Sequence, residues 1–177
     1  MKNYKLIFAD LDGTLIKTKT GSPFPKGIWD MEFRMNVLDK IDQIGPKFLA
    51  IVTNQGGIGS GFLNERHFTK GKMNFITMSL KEYLKIPVLY NYCSTTDENC
   101  KFRKPNTGML ESLLRQISHN FDCKIEKSEI LMIGDASGKV GQHSDSDKVC
   151  AQRFGIDYLD VEDLLKIDVN KYMLENG

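Results

Sequence analysis

Short apolar runs that stop at polar residues constrain this chain more than any other feature. Residues 4–9 read YKLIFA and end at Asp10; residues 47–52 read KFLAIV and end at Thr53; residues 129–133 read EILMI and end at Gly134-Asp135. Residues 86–92, IPVLYNY, and 155–159, GIDYL, are two further runs. A short apolar run without strict alternation fits a strand covered on both faces. Between the runs, apolar residues take helical spacing. Val37, Leu38, Ile41 and Ile44 form one such face, stopped by Gly45-Pro46. Phe68, Phe75, Ile76, Leu80, Tyr83 and Leu84 form a second, opening after Asn64 as N-cap. Leu110, Leu113, Leu114 and Ile117 form a third, and a fourth runs from Asp147 to Phe154 and ends at Gly155. Val161 to Tyr172 reads as a last amphipathic helix.

Strands alternating with helices predict an α/β fold, a Rossmann-like, mostly parallel sheet with helices on both faces. The 177 residues suit one domain spanning 1–177. The formal net charge of +1 gives no bulk attraction to a polyanion, so any nucleic-acid footprint must be local. No stretch approaches the ~18 apolar residues of a membrane span. Asp10 interrupts the first apolar run before it reaches signal-peptide length. With four cysteines read as free thiols, an intracellular, reducing compartment is expected, and so is a monomer. The least regular segments are 15–33 and 94–107, and loops of that length are often functional.

Ligands of open α/β sheets bind at the carboxyl ends of strands, where Asp10, Thr53 and Asp135 fall together. Asp10-Leu11-Asp12-Gly13-Thr14 places two carboxylates two residues apart. One can attack phosphorus while the other protonates the leaving oxygen and later activates water. Thr53-Asn54 offers a hydroxyl and neighbouring N–H groups to a phosphoryl oxygen. Lys104, in Arg103-Lys104-Pro105, can neutralise phosphate and nucleophile. Gathered carboxylates from Asp10, Asp12, Asp135 and Asp147 repel one another unless a cation joins them, and all-oxygen ligands favour Mg²⁺. Asp147 is read as holding Lys104 in place, and Asp145 as a helix cap. No G-x-x-x-x-G-K-[ST] motif exists, so no P-loop kinase activity is expected.

Asp10-Leu-Asp-Gly-Thr14, Thr53-Asn54, Lys104 and Gly134-Asp135 with Asp147 occur in the order of the haloacid dehalogenase (HAD) superfamily, which the chain resembles. The resemblance implies Asp10 as nucleophile and Asp12 as general acid/base, with Thr14 in support. It implies phosphate binding by Thr53, Asn54 and Lys104, and Mg²⁺ held by Asp10, Asp12 (through its carbonyl) and Asp135. Phe8 to Gly21 with Phe24-Pro25, Thr53-Asn-Gln-Gly-Gly-Ile-Gly59, Arg103-Lys-Pro105 and Gly134-Asp-Ala-Ser-Gly138 leading to Ser144-Asp-Ser-Asp147 look like the polynucleotide 3′-phosphatases. These are the phosphatase half of bifunctional kinase–phosphatases of DNA repair. The implied substrates are 3′ ends of nucleic acid, DNA above all.

Histidinol-phosphate and heptose-bisphosphate phosphatases share this branch and carry a zinc loop of three cysteines and one histidine before the Arg-Lys-Pro segment. Here Cys93 and Cys100 stand there without a histidine between them, which counts against a closed tetrahedral site and against those substrates. From Asp10 to Thr53 is 43 positions and from Thr53 to Lys104 is 51, too few for a large cap domain. An open site suits a polymer end. Lys17, Lys19, Lys26, Arg66, Lys70, Lys72, Lys101 and Arg103 are candidates for its basic rim. Phe24 or Trp29 is a candidate for stacking on a base, with core packing the better reading of Trp29. His143 lies close to the Asp147 segment. The competing readings are a small-metabolite phosphatase and a non-catalytic module that binds DNA ends.

Overall fold

The computed structural model describes residues 2–22, 25 and 27–175; Phe24 and Lys26 lie outside the described residues. In chain order the main elements are β1 (Leu6–Ala9), β2 (Ile16–Thr18), β3 (Met31–Phe33), α1 (Met35–Ile44), β4 (Phe48–Asn54), α2 (Gly56–Gly59), α3 (Asn74–Leu84), β5 (Val88–Cys93), α4 (Gly108–Asn120), β6 (Ile130–Gly134), α5 (Ser146–Phe154), β7 (Asp157–Asp160), α6 (Val161–Lys166) and α7 (Val169–Glu175). A π-helical segment, His67–Met73, runs directly into α3.

Five strands form a parallel sheet in the order β5-β4-β1-β6-β7. Successive strand side chains point to opposite faces, and β1 shows why its run is apolar throughout. Ile7 and Ala9 pack with Val37, Ile41, Ile76 and Leu80 on one side. Leu6 and Phe8 pack with Met109, Leu113, Ile117 and Phe154 on the other. Phe8 meets Phe154 edge to face, ring centroids 6.3 Å apart. Ala9 pairs with Ile51 and with Ile133, so Asp10, Thr53 and Asp135 emerge at one edge. The chain winds outward from β1 to β4 and β5, then returns to β6 and β7 on the opposite side. That reversal makes the carboxyl end of β1 the topological switch point. The opposite end of the sheet holds both chain ends, where the Lys2 N–H donates to the Met173 carbonyl at 2.7 Å.

The structure departs from the sequence reading in three places. Segment 15–33 is not wholly irregular: β2 and β3 form an antiparallel hairpin with Ile16 and Met31 buried, in strands of three residues, too short to show a period. Val161 to Tyr172 is two helices. Ile167 is extended, its carbonyl accepts from Lys40 Nζ at 2.7 Å, and Asp168 Oδ1 takes the Lys171 N–H to start α7. Trp29 is 65% exposed rather than in the core. The buried residue of its 3₁₀ turn is Asp30, whose carboxylate accepts the Thr20 N–H at 2.9 Å and its hydroxyl at 3.0 Å. Phe75 and Tyr83 sit at the margin of α3's apolar face. Phe75 stacks on Phe33, and the Tyr83 hydroxyl donates to Asp39 Oδ1 at 2.5 Å. Asn64 behaves as expected, its Oδ1 accepting the His67 N–H at 3.0 Å. Among the described residues no helix is long and apolar enough to cross a membrane.

Candidate active site

The site is built on residues that leave the sheet at its carboxyl edge. The Asp10 N–H still bonds the Ile133 carbonyl at 3.0 Å, so the side chain starts from a fixed strand end. The chain then turns at Gly13, whose φ of +88° is strained for any other residue; a Cβ there would stand 2.2 Å from Asp135 Oδ2. A Cβ on Gly134 would meet Asp147 Oδ2 at 2.3 Å. Both glycines let carboxylates approach backbone.

At the centre is the Lys104 ammonium, 3% exposed as a residue. It donates to Asp10 Oδ1 at 2.6 Å and to the Val52 carbonyl at 2.8 Å, and pairs with Asp147 Oδ1 at 2.7 Å. Burial disfavours its charge, but the carboxylates of Asp10 and Asp147 outweigh that, and its pKa lies above the ordinary lysine value. Asp147 Oδ2 accepts the Ala136 N–H at 3.1 Å. Asn54 clasps the main chain of Lys104: its Nδ2 donates to the Lys104 carbonyl and its Oδ1 accepts the Lys104 N–H, both at 3.0 Å. Its side chain is thereby taken up in placing the lysine.

Burial pushes the Asp10 carboxyl up to about 8; Lys104 works against this, while Asp147 and Asp135 add to it. Asp135 is also raised, by burial first and by Asp147 second, with His143 and Lys104 opposing. Asp10, Asp135 and Asp147 each bring one carboxylate oxygen within 4.8 Å of the others. Buried carboxylates at such spacing, all hard oxygen donors, fit a divalent cation of the Mg²⁺ type. The third carboxylate of this group is Asp147, not Asp12, whose carboxylate faces elsewhere.

Asp12 Oδ1 pairs with Lys72 at 2.9 Å, and its Oδ2 accepts from Gln55 Nε2 at 2.8 Å. Gln55 Nε2 also reaches Thr53 Oγ1 at 2.9 Å. The arrangement can hold Asp12 and Thr53 in register on either side of a phosphoryl group. Sequence reasoning missed Gln55 and the pairing of Lys72. Gln55 sits inside the Thr53-Asn54-Gln55 motif, a signal within reach; Lys72 is brought in only by the π-helical segment. Thr14 is fully buried, and its hydroxyl has no hydrogen-bond partner among the described residues.

These residues open on a cleft of about 1880 Å³. Among the described residues, Arg66, Lys70, Lys72 and Arg103 are the lysines and arginines on its walls besides Lys104, and His143 lines it beside Asp135. Lys17, Lys19 and Lys101 do not line it: Lys17 pairs with Glu32 on the hairpin at 3.0 Å, and all three lysines are exposed. The glycines after β4 do not form a phosphate cradle. The Gly59 N–H donates to the Ser94 carbonyl at 2.6 Å, and a Cβ on Gly59 would stand 2.4 Å from that oxygen. Behind Arg103, whose Nη1 donates to the Thr95 carbonyl at 2.9 Å, the Cys93 and Cys100 sulfurs lie 3.7 Å apart. The Cys93 thiol is raised by burial, and the Phe102 N–H lowers that of Cys100.

The chain is similar to known phosphatases over most of its length. It is 34% identical over 160 residues to the bifunctional polynucleotide phosphatase/kinase of Schizosaccharomyces pombe, covering 89% of this chain but only 36% of that protein. It is 30% identical to an uncharacterized 20.8 kDa protein of Autographa californica nuclear polyhedrosis virus, covering 96% of this chain and 90% of that one. Among solved structures, the D,D-heptose 1,7-bisphosphate phosphatase of B. bronchiseptica, complexed with magnesium and phosphate, superposes with a TM-score of 0.61. It is 20% identical, with 97% of this chain and 99% of that chain covered, a likeness of fold. The model of the polynucleotide kinase 3 phosphatase family matches residues 5–164. The chain, a phosphatase of the HAD fold, belongs to the polynucleotide kinase 3 phosphatase family.

Proposed function

We propose that this protein is a polynucleotide 3′-phosphatase that removes terminal 3′-phosphates from DNA in the repair of its ends. Asp10 is the nucleophile. Lys104 holds it by Oδ1, leaving Oδ2 to attack phosphorus in line with the departing 3′-oxygen. Asp12 protonates that oxygen as the P–O bond breaks. It then takes a proton from water, which hydrolyses the phosphoaspartate and frees Asp10 and inorganic phosphate. Lys104 and Thr53 receive phosphoryl oxygens, and the Asn54 clasp and Asp147 keep Lys104 in place. Gln55 fixes the orientation of both Asp12 and Thr53. Asp10 and Asp135, with the Asp12 carbonyl, would hold Mg²⁺, which when bound offsets the charge of the phosphoryl group.

The observation that carries the substrate assignment is the cleft. At about 1880 Å³ it exceeds the ~300–1,000 Å³ of an ordinary small-molecule site, and arginine and lysine stand on its walls. A sugar phosphate would leave most of that space wet, whereas a polymer end fills it. The test compares phosphate release from a 3′-phosphorylated oligonucleotide, its 5′-phosphorylated isomer, histidinol phosphate and heptose bisphosphate. The 3′-phosphorylated oligonucleotide should be turned over with the highest kcat/KM. Faster release from either metabolite would reject the polynucleotide assignment in favour of a metabolite phosphatase, and no release from any substrate would favour a non-catalytic module.

A further inference from the structure

One wall of the cleft is apolar and open to solvent. Phe62 is 88% exposed, Ile28 44% and Leu63 41%, and all three line the same cleft as Asp10. The backbone beneath them is pinned rather than loose. The Leu63 N–H donates to the Gly57 carbonyl at 2.9 Å, and a Cβ on Gly57 would stand 3.2 Å from the Leu63 side chain. Gly59 is tied to Ser94 as described. A ring so exposed contributes little to the protein's own core. Arg66 and Lys70 follow on the same wall, and Arg103 lines the cleft as well. An aromatic face with cations beside it is the pattern that takes a single strand of nucleic acid, bases on the ring and phosphates on the cations.

We infer that Phe62, backed by Leu63 and Ile28, is a stacking platform for the terminal nucleobase of an unpaired 3′ end, with Arg66 and Lys70 on the phosphates that precede it. The inference rests on the polynucleotide reading above and adds the strandedness of the substrate. Asp10 is only 8% exposed, so the terminal phosphate must descend into the cleft with its nucleotide. A base lying on the wall ring gives that face to the protein, and a paired complementary strand would have to enter the same space.

The experiment measures kcat/KM for three 3′-phosphorylated oligonucleotides: a single strand ending in adenine, the same strand with an abasic terminal residue, and the adenine strand in a blunt duplex. Stacking on one ring should favour the adenine-terminated strand over the abasic one by roughly tenfold. In Phe62→Ala that ratio should fall close to one, and in Phe62→Trp it should persist. Removing so exposed a side chain leaves no core cavity, and an unchanged thermal midpoint would confirm an intact fold. The blunt duplex should be the slowest of the three. A Phe62→Ala ratio equal to that of the unmodified protein, with oligonucleotides still preferred over sugar phosphates, would overturn the platform and leave the polynucleotide reading standing. A blunt duplex turned over faster than the single strand would overturn the unpaired end. Sugar phosphates outpacing every oligonucleotide would overturn both readings together.

Discussion

Lys104→Met tests the centre of the site, because the substitution keeps the chain's bulk and deletes only the charge. Two carboxylates then lose their counter-ion, Asp10 at 2.6 Å and Asp147 at 2.7 Å, and the Val52 carbonyl loses its donor. Asp147 is 1% exposed, so water cannot take the place of the ammonium. Removing one partner from a buried charged network costs about 3–5 kcal/mol. At ~2–4 °C per kcal/mol for a domain of this size, the metal-free protein should melt about 6–20 °C lower. Denaturant unfolding at pH 7 in EDTA measures the loss, with Lys85→Met as control, since Lys85 pairs with Glu82 on the surface and should change stability by less than about 1 kcal/mol. The loss should be strongly non-additive with Asp147→Asn, whose partner is the same ammonium. A Lys104→Met protein within about 1 kcal/mol of the unmodified one would show that the buried network is not what holds this edge together.

Asp10→Asn should retain the fold and lose at least ~10³-fold in turnover, because an amide is a poor nucleophile; a tenth of the original rate in a sample free of deamidation would exclude the phosphoaspartate. In metal-free buffer, the Asp10 pKa of about 8 lies above the carboxylate value of 3.8, so the folded protein carries an extra proton between those limits. Its contribution to stability is therefore full below pH 3.8 and lost as the pH rises through about 8, and urea midpoints from pH 5 to 8 should fall unless Mg²⁺ is added. EDTA should stop activity and Mg²⁺ restore it, with Asp135→Ala binding the ion poorly in calorimetry; full turnover in EDTA would defeat the metal assignment. For a single-stranded substrate, Arg66→Ala with Lys70→Ala should flatten the plot of log affinity against log salt by ~0.7 for each phosphate the protein no longer neutralises, whereas Lys17→Ala with Lys19→Ala should leave it unchanged.

The parallel sheet was legible because each strand is buried on both faces, so its run of residues is apolar without interruption. Asp10, Thr53 and Asp135 were legible for a related reason: each is the first polar residue where such a run meets the open edge. What was hidden depends on contacts remote in sequence. Lys72 reaches Asp12 across 60 positions, and nothing in its neighbours distinguishes it from Lys70. Asn54 could be placed near a phosphate, but its clasp on Lys104 spans 50 positions and appears only when the two segments meet. The hairpin brings Lys17 to Glu32, which is why a lysine close in sequence to the nucleophile is not on the cleft wall. Trp29 shows the limit of composition: a large apolar residue was expected inside, yet its neighbour Asp30 has the satisfied buried position.

The hydrogen bond from Lys2 to Met173 brings the two chain ends together at the amino-terminal side of the sheet, while Asp10 stands at the other end of β1. Ends that adjoin each other can be joined by a few residues, and the chain reopened at a surface loop, with little change to the packed layers. A circular permutant of this kind keeps every strand end that supplies the carboxylates. The same geometry makes either end a tethering point: a second catalytic unit attached there hangs from the back of the sheet and leaves the cleft uncovered.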